Sequence, residues 1–514
     1  MIILFLNLII KIIILKRGEF MRKLIIILLI VTLVLSGISG NSFLVTNTEG
    51  KTQNRLSSLV DFDPLVDINI TIDILAIRAL DEIESSSSPN FYLKIFINKD
   101  EFISPVWYNQ SYLYNCWSIS KDVDDGVELV PVSIELWSKG SSSDRICDIS
   151  KEKNVENNGN SVELFYSIKT GKWYGGDYYI GDASGYGRLN GCDDGSIYKD
   201  ENDCELWFNI YQNDYDNDGL PYYIESFVYA TDPMVNNMGE DIDNDGLPIE
   251  WEHHWGFNPL VWEDHEHLDP DGDSLNNTEE YFTLEFGSDP FRKDIFLEMD
   301  FMQNGSDGEQ IKVPDETFEI LQNPFNRRNI VFHTDFGQDY GGEMIPFDNN
   351  TDQQDLLWIY DNYFLHNNSE NWRRGVFHYG IVVYYRRPSM AFSGDVSPFY
   401  GYFPGTNSFV ISKTSPDYYI NYYEGRKSFA FLYACNFMHE MGHHFGIRFG
   451  KPSGCDNFLS SKIWEPGFWL YRNYRSIMNY RYVFEIFDYS DGTHGKRDYD
   501  DWKNIDLTYF EKNT

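Results

Sequence analysis

Two histidines four residues apart, His439 and His443, enclose a carboxylate in the run His439-Glu440-Met441-Gly442-His443. On an α-helix positions i and i+4 share a face, so both imidazoles can aim one ring nitrogen at a single ion. Such a pair suits zinc, which brings the pKa of a coordinated water toward neutrality. Glu440, beside the first imidazole, stands where it can take that water's proton. The implied chemistry is attack of water on a peptide carbonyl, with no covalent enzyme intermediate. Leu432, Cys435, His439, Gly442 and Gly446 recur at helical spacing, and the stretch from Lys427 to Met438 reads as helix leading into the motif.

Downstream, Ser476-Ile477-Met478-Asn479-Tyr480 has the form of a methionine turn. Helix motif and turn together resemble the metzincin zinc peptidases, whose helix motif runs H-E-x-x-H-x-x-G-x-x-H. Gly446 matches the glycine at which the chain leaves the helix, whereas Phe449 stands where the third histidine belongs and cannot bind zinc. The resemblance implies that Met478 lies beneath the metal. It also implies that Tyr480 binds zinc or donates a hydrogen bond to the oxyanion formed at the scissile carbonyl. A catalytic zinc keeps three protein ligands and an open position, so a further donor is needed. Gly454-Cys455-Asp456-Asn457 offers the first ones. Asp456 is the favoured third ligand, because Cys455 could pair with Cys435, one turn before His439. A Cys455 thiolate is the alternative, His494 a more distant one, and Glu465 would imply a different peptidase clan. His444, about 100° round the helix from His443, is expected behind the ligands or at the surface.

A second constellation precedes this region. Asp214, Asp216, Asp218, Gly219 and Glu225 fit the loop D-x-D-x-D-G with glutamate at position twelve, and Asp241, Asp243, Asp245, Gly246 and Glu252 fit it again. A third copy, Asp269, Asp271, Asp273 and Glu280, carries Ser274 where glycine is expected. Carboxylates at alternate positions surround one ion, the glycine permits a sharp turn, and hard oxygen donors in that number suit Ca2+. With Thr-Asp-Pro, Phe-Asn-Pro and Ser-Asp-Pro after the three loops, the tract resembles the acidic repeats of thrombospondin type 3 and related secreted proteins. The histidines His253, His254, His265 and His267 read as a wet surface.

The chain has 80 acidic and 41 basic residues and a net charge of −39, which excludes a phosphate-backbone binder. Met21-Arg22-Lys23, the apolar stretch 24–35 and small residues at 36–40 read as an export signal within residues 1–40, with Met21 as a possible true start. An uncleaved signal would leave an N-terminal anchor, and no later segment is apolar enough to cross a bilayer. Sequons at Asn69, Asn109, Asn276, Asn304, Asn349 and Asn367 and an even number of cysteines suit a secreted or cell-surface protein. Besides Cys435 with Cys455, the expected disulfides are Cys192 with Cys204 and Cys116 with Cys147.

The elements that must position these groups fall into three regions. Residues 42–205 alternate in β-branched and apolar residues between Gly, Ser and Asn clusters, which predicts an all-β sandwich. The runs Asn90 to Ile95, Ile134 to Trp137 and Asp144 to Asp148 loosely resemble a C2 domain. Residues 206–293 form the calcium-loop repeats, and 294–514 an α+β metzincin-like domain. There, strands at 294–301, 329–334 and 376–385 accompany a helix at 314–321, and 409–412 is expected as the sheet edge that an extended substrate joins. Asp488, Asp491, Asp498, Asp500 and Asp501 read as a solvated loop. The expected function is that of a secreted zinc endopeptidase acting on protein or peptide substrates. The alternative is a calcium-binding adhesion or scaffold protein whose peptidase fold has lost its metal.

Overall fold

The computed structural model describes residues 61–507 except 85–86, 153–160, 178–186, 200, 310, 337–340, 386–399, 404–407 and 449. The export signal and Phe449 lie outside the described residues. Residues from Val60 onward make one compact unit, so the three regions legible in the sequence are packed together.

Ten strands open this unit: β1 (Asn69–Ala79), β2 (Phe91–Ile97), β3 (Asp100–Ile103), β4 (Tyr112–Asp122), β5 (Leu129–Ser138), β6 (Arg145–Ile146), β7 (Ser161–Ser167), β8 (Lys172–Gly175), β9 (Arg188–Asn190) and β10 (Cys204–Gln212). They form two antiparallel sheets, ordered β4-β1-β10-β9 and β3-β2-β5-β7-β8, with β6 on β5. Side chains alternate across a strand, so Ile70, Ile72 and Ile74 of one sheet and Val130, Val132, Ile134 and Leu136 of the other meet in a shared core. β10 runs to Gln212, past the expected boundary at 205.

The cysteine pairing differs from expectation, and all six thiols are free. A parallel bridge between Asp148 and Asp203 brings Cys147 and Cys204 side by side, thiol against thiol. Cys192 instead donates to Asp203 Oδ2 at 3.3 Å, and Cys116 hydrogen-bonds to the Ile77 main chain. Cys435 is buried within the helix that carries His439 and His443, and Cys455 contacts the Asp456 carboxylate. Sequence separation carries no information about which strand ends become neighbours, which is why the structure does not place the expected partners together.

The three acidic loops each lead into a short helix: the turn Tyr222–Ile224, α1 (Ile249–Trp255) and α2 (Asn277–Phe282). Leu247, Trp251 and Trp255, with Phe257, Tyr281 and Phe291 against them, supply a small core. Two of the four histidines expected on a wet surface, His253 and His265, are buried, whereas His254 is exposed. His253 is buried, its Nδ1 on the Tyr229 hydroxyl at 2.9 Å and its Nε2 on the Thr170 carbonyl of the sandwich at 2.8 Å. His265 is buried within the second loop, whereas His267 is exposed.

The last region carries β11 (Asp294–Met302), α3 (Glu316–Asn326), β12 (Val331–Asp335), β13 (Met344–Ile345), β14 (Phe377–Val383), β15 (Tyr400–Phe403), β16 (Ser408–Ser412), α4 (Phe429–His444) and β17 (Ser453–Asp456). Its sheet runs β12-β11-β14-β16-β15, all pairs parallel except β15 with β16, and β13 adds to β11. β16, expected as the edge, is enclosed between β14 and β15. The edge is β15, because that strand folds back antiparallel over it. α3 packs on α4, with Phe318 and Phe437 rings 6.0 Å apart. The sandwich docks on the end of α3: Arg188 bonds Glu205 and Asn329, while Asn190 donates to the Asn326 carbonyl at 2.7 Å. Among the described residues no helix is long and apolar enough to cross a membrane.

Candidate metal centre

α4 begins where the Ser428 hydroxyl accepts the Phe431 amide at 3.1 Å and runs for 16 residues, almost all buried. It stops at Gly446, whose φ of +89° is the left-handed conformation that glycine takes without strain. That reversal brings the Ile447 carbonyl back onto His443, whose Nδ1 donates to it at 2.6 Å. His439 Nδ1 donates in the same way to the Ile477 carbonyl at 2.9 Å. Both rings thus hold a proton on Nδ1 and turn Nε2 the other way.

Both Nε2 atoms face one carboxylate. His439 Nε2 lies 3.0 Å from Asp456 Oδ1 and His443 Nε2 lies 3.3 Å from Asp456 Oδ2. Two bonds of about 2.0 Å at the tetrahedral angle hold their donor atoms about 3.3 Å apart, so each imidazole stands from Asp456 at the spacing of two zinc ligands. Glu440 is buried beside them, within one group with His439 and His443, and Cys455 forms another with His443 and Asp456, all donor atoms inside 4.8 Å.

Burial disfavours charge on His439, but the hydrogen bond and charge of Asp456, with Glu440 behind, push it up to about 9. Burial pushes His443 down to about 4 against the pull of Asp456. Asp456 is desolvated too, yet His439, His443 and the Tyr480 hydroxyl hold it below the usual carboxylate range.

The methionine turn supports this centre through its backbone. Besides the Ile477 carbonyl on His439, the Met478 carbonyl accepts the Asp456 amide at 3.0 Å. Met478 itself is buried against Gly442, where an added Cβ would run into its Sδ. The Tyr480 ring stacks on His439, centroids 5.7 Å apart. His494 lies instead among Asp491 and Asp498, and Glu465 caps its own loop through the Lys462 amide, so neither joins the centre.

One participant was missed. His444 is buried and pairs with His378 of β14, Nδ1 to Nδ1 at 2.9 Å, which pins the end of α4 to the sheet. No motif surrounds His378, and only the parallel pairing of β14 brings it there.

The acidic loops share one backbone form. Asp214 accepts the amides of Asn217 and Gly219, Asp241 those of Asn244 and Gly246 (2.7 and 3.0 Å), and Asp269 those of Gly272 and Ser274 (2.7 and 3.1 Å). At the sixth position Gly219, Gly246 and Ser274 have φ of +83°, +104° and +88°, so the third loop makes the same turn at the cost of left-handed strain on serine. Both oxygens of Asp216, Asp243, Glu252 and Glu280 are buried without a hydrogen-bond partner among the described residues. Burial, then the neighbouring carboxylates, push Glu225 up to about 8 and Asp271 to about 10. Partnerless buried carboxylates in this number fit cation sites.

No family model and no curated protein matches the chain. Among solved structures, a C2 domain is similar at 13% identity and a TM-score of 0.18, over 28% of this chain and 98% of that one. A C2 domain protein from Ramazzottius varieornatus is similar at 8% identity and 0.19, over 28% and 87%. Human GIVD cytosolic phospholipase A2 is similar at 11% identity and 0.17, over 30% of this chain, which spans only 18% of the phospholipase. These three likenesses have TM-scores below 0.2 and carry no argument about fold or activity.

Proposed function

We propose that this chain is a secreted, calcium-stabilised zinc endopeptidase of metzincin type, with a C-terminal α+β peptidase domain. The observation that carries the reading is the convergence of His439 Nε2 and His443 Nε2 on the two oxygens of Asp456, beside the buried carboxylate of Glu440. His439, His443 and Asp456 would hold the metal. Bound zinc supplies a Lewis acid that activates water and polarises the scissile carbonyl at neutral pH. Glu440 takes a proton from the attacking water and returns it to the leaving amine. Tyr480, its hydroxyl already turned to Asp456, donates to the oxygen on which charge develops. Among the described residues β15 presents the sheet edge along which an extended peptide lies. The first and third acidic loops, whose donors are all oxygen, hold Ca2+ and stiffen the tract between sandwich and peptidase domain.

Purified protein assayed on casein tests the reading. It expects zinc-dependent cleavage that Glu440→Ala abolishes while zinc stays bound. A protein that holds calcium but no zinc, and cleaves nothing, would be the scaffold alternative.

A further inference from the structure

The second acidic loop differs from the first in its donors. The first gathers Asp216, Asp218 and Glu225, all oxygen; the second gathers Asp245, Glu252 and His265. The His265 imidazole is 1% exposed, with Nε2 3.2 Å from Asp245 Oδ2 and 3.8 Å from Glu252 Oε1. It cannot swing out: its ring stands edge-on to Trp251 (6.3 Å) and Phe257 (5.2 Å), and its Nδ1 contacts the Asn277 amide at 2.8 Å.

Several of these polar atoms lack a hydrogen bond. His265 Nε2, both oxygens of Asp243 and both oxygens of Glu252, a residue 0% exposed, make no well-formed hydrogen bond among the described residues, and Nε2 has only its approaches to the Asp245 and Glu252 carboxylates. Asn277 Oδ1 makes no hydrogen bond among them either. With that oxygen turned to Nδ1, the ring proton sits on Nδ1 and Nε2 presents its lone pair to the carboxylates. Calcium takes six to eight oxygens, whereas zinc and its transition-row neighbours accept imidazole nitrogen and carboxylate oxygen together in smaller number.

We infer that the loop 241–252 with His265 is a transition-metal site, in which Asp243, Asp245, Glu252 and His265 Nε2 hold zinc or a metal of similar borderline character. It clamps α1 to the chain segment that precedes α2, around the small tryptophan core. No group on α4 takes part, so the inference is independent of the peptidase reading.

The test counts zinc and calcium per chain in full-length proteins dialysed against both metals. Two zincs are expected for the wild type, one for H439Q/H443Q and one for H265Q. H265D, which makes the loop all-oxygen, should lose that zinc and gain a calcium. Should the wild type hold one zinc that survives in H439Q/H443Q and disappears in H265Q, this site stands and the peptidase reading falls. An H439Q/H443Q protein without zinc, or H265Q with the wild-type count, overturns the inference. X-ray absorption of H439Q/H443Q loaded with one zinc equivalent decides even where His265 variants fail to fold: an imidazole shell supports the site and an oxygen-only shell sinks it.

Discussion

The amide of Asp456 donates to the carbonyl of Met478 at 3.0 Å, although Asp456 itself sits at a φ of +48°. A left-handed aspartate costs on the order of 1 kcal/mol, and the methionine turn holds it there. In that conformation the carboxylate reaches both Nε2 atoms. The same turn orients His439 through Ile477, so one stretch of backbone aligns two of the three candidate ligands.

Removing the carboxylate should therefore remove the metal while leaving the fold. Asp456→Ala is expected to weaken zinc binding by at least the 10–100-fold typical of supporting groups and to abolish cleavage. Competition with a chromophoric chelator measures the first effect, and unchanged zinc affinity would remove Asp456 from the centre.

Gly442 has no room for a methyl group, since Met478 Sδ and the Tyr489 ring lie against it. Gly442→Ala should destabilise by about 1–3 kcal/mol, as overpacked cores do. Urea unfolding reads this directly, and a neutral result would mean that the turn does not press on α4.

Calcium should matter to stability more than to the reacting groups. Withdrawing it with EGTA leaves the buried Glu280 carboxylate without a hydrogen-bond partner among the described residues and crowded by Asp294, Asp273 and Asp271, and is expected to lower Tm by several degrees. Glu280→Gln should reduce that EGTA effect. Equal melting with and without calcium contradicts the assignment of the loops.

Asp300 gives a pH dependence of definite sign. Burial lifts its carboxyl to about 7, against hydrogen bonds from Tyr379 and the Glu343 amide. Between about pH 4 and 7 the folded state therefore keeps a proton that the unfolded state has lost. Stability should fall as pH rises through that window, by at most about 1.4 kcal/mol per pH unit from this group. Asp300→Asn, neutral throughout, is expected to flatten the slope in denaturant titrations at pH 5, 6 and 7. An unaltered slope would show that Asp300 ionises normally.

Features governed by near neighbours were legible in the chain alone. Helical spacing brought His439, Glu440 and His443 to one place, the twelve-residue acidic spacing outlined three equivalent loops, and alternation marked the strands of the sandwich, because each depends on local backbone period. Ser274 stands where the loop pattern expects glycine, yet it adopts the same left-handed turn as Gly219 and Gly246. What required the tertiary structure was every choice between donors far apart in sequence. The letters favour Asp456 over Cys455 only through a Cys435–Cys455 pair, which does not form, and leave His494 as a more distant option. The methionine turn's backbone brings Asp456 to the imidazoles, while His494 is held among aspartates elsewhere. The approach of Cys147 to Cys204, the enclosure of β16 by β15, and the burial of His378 and His265 likewise follow from strand pairing and packing. Long-range contacts of that kind leave no periodic trace in a single sequence.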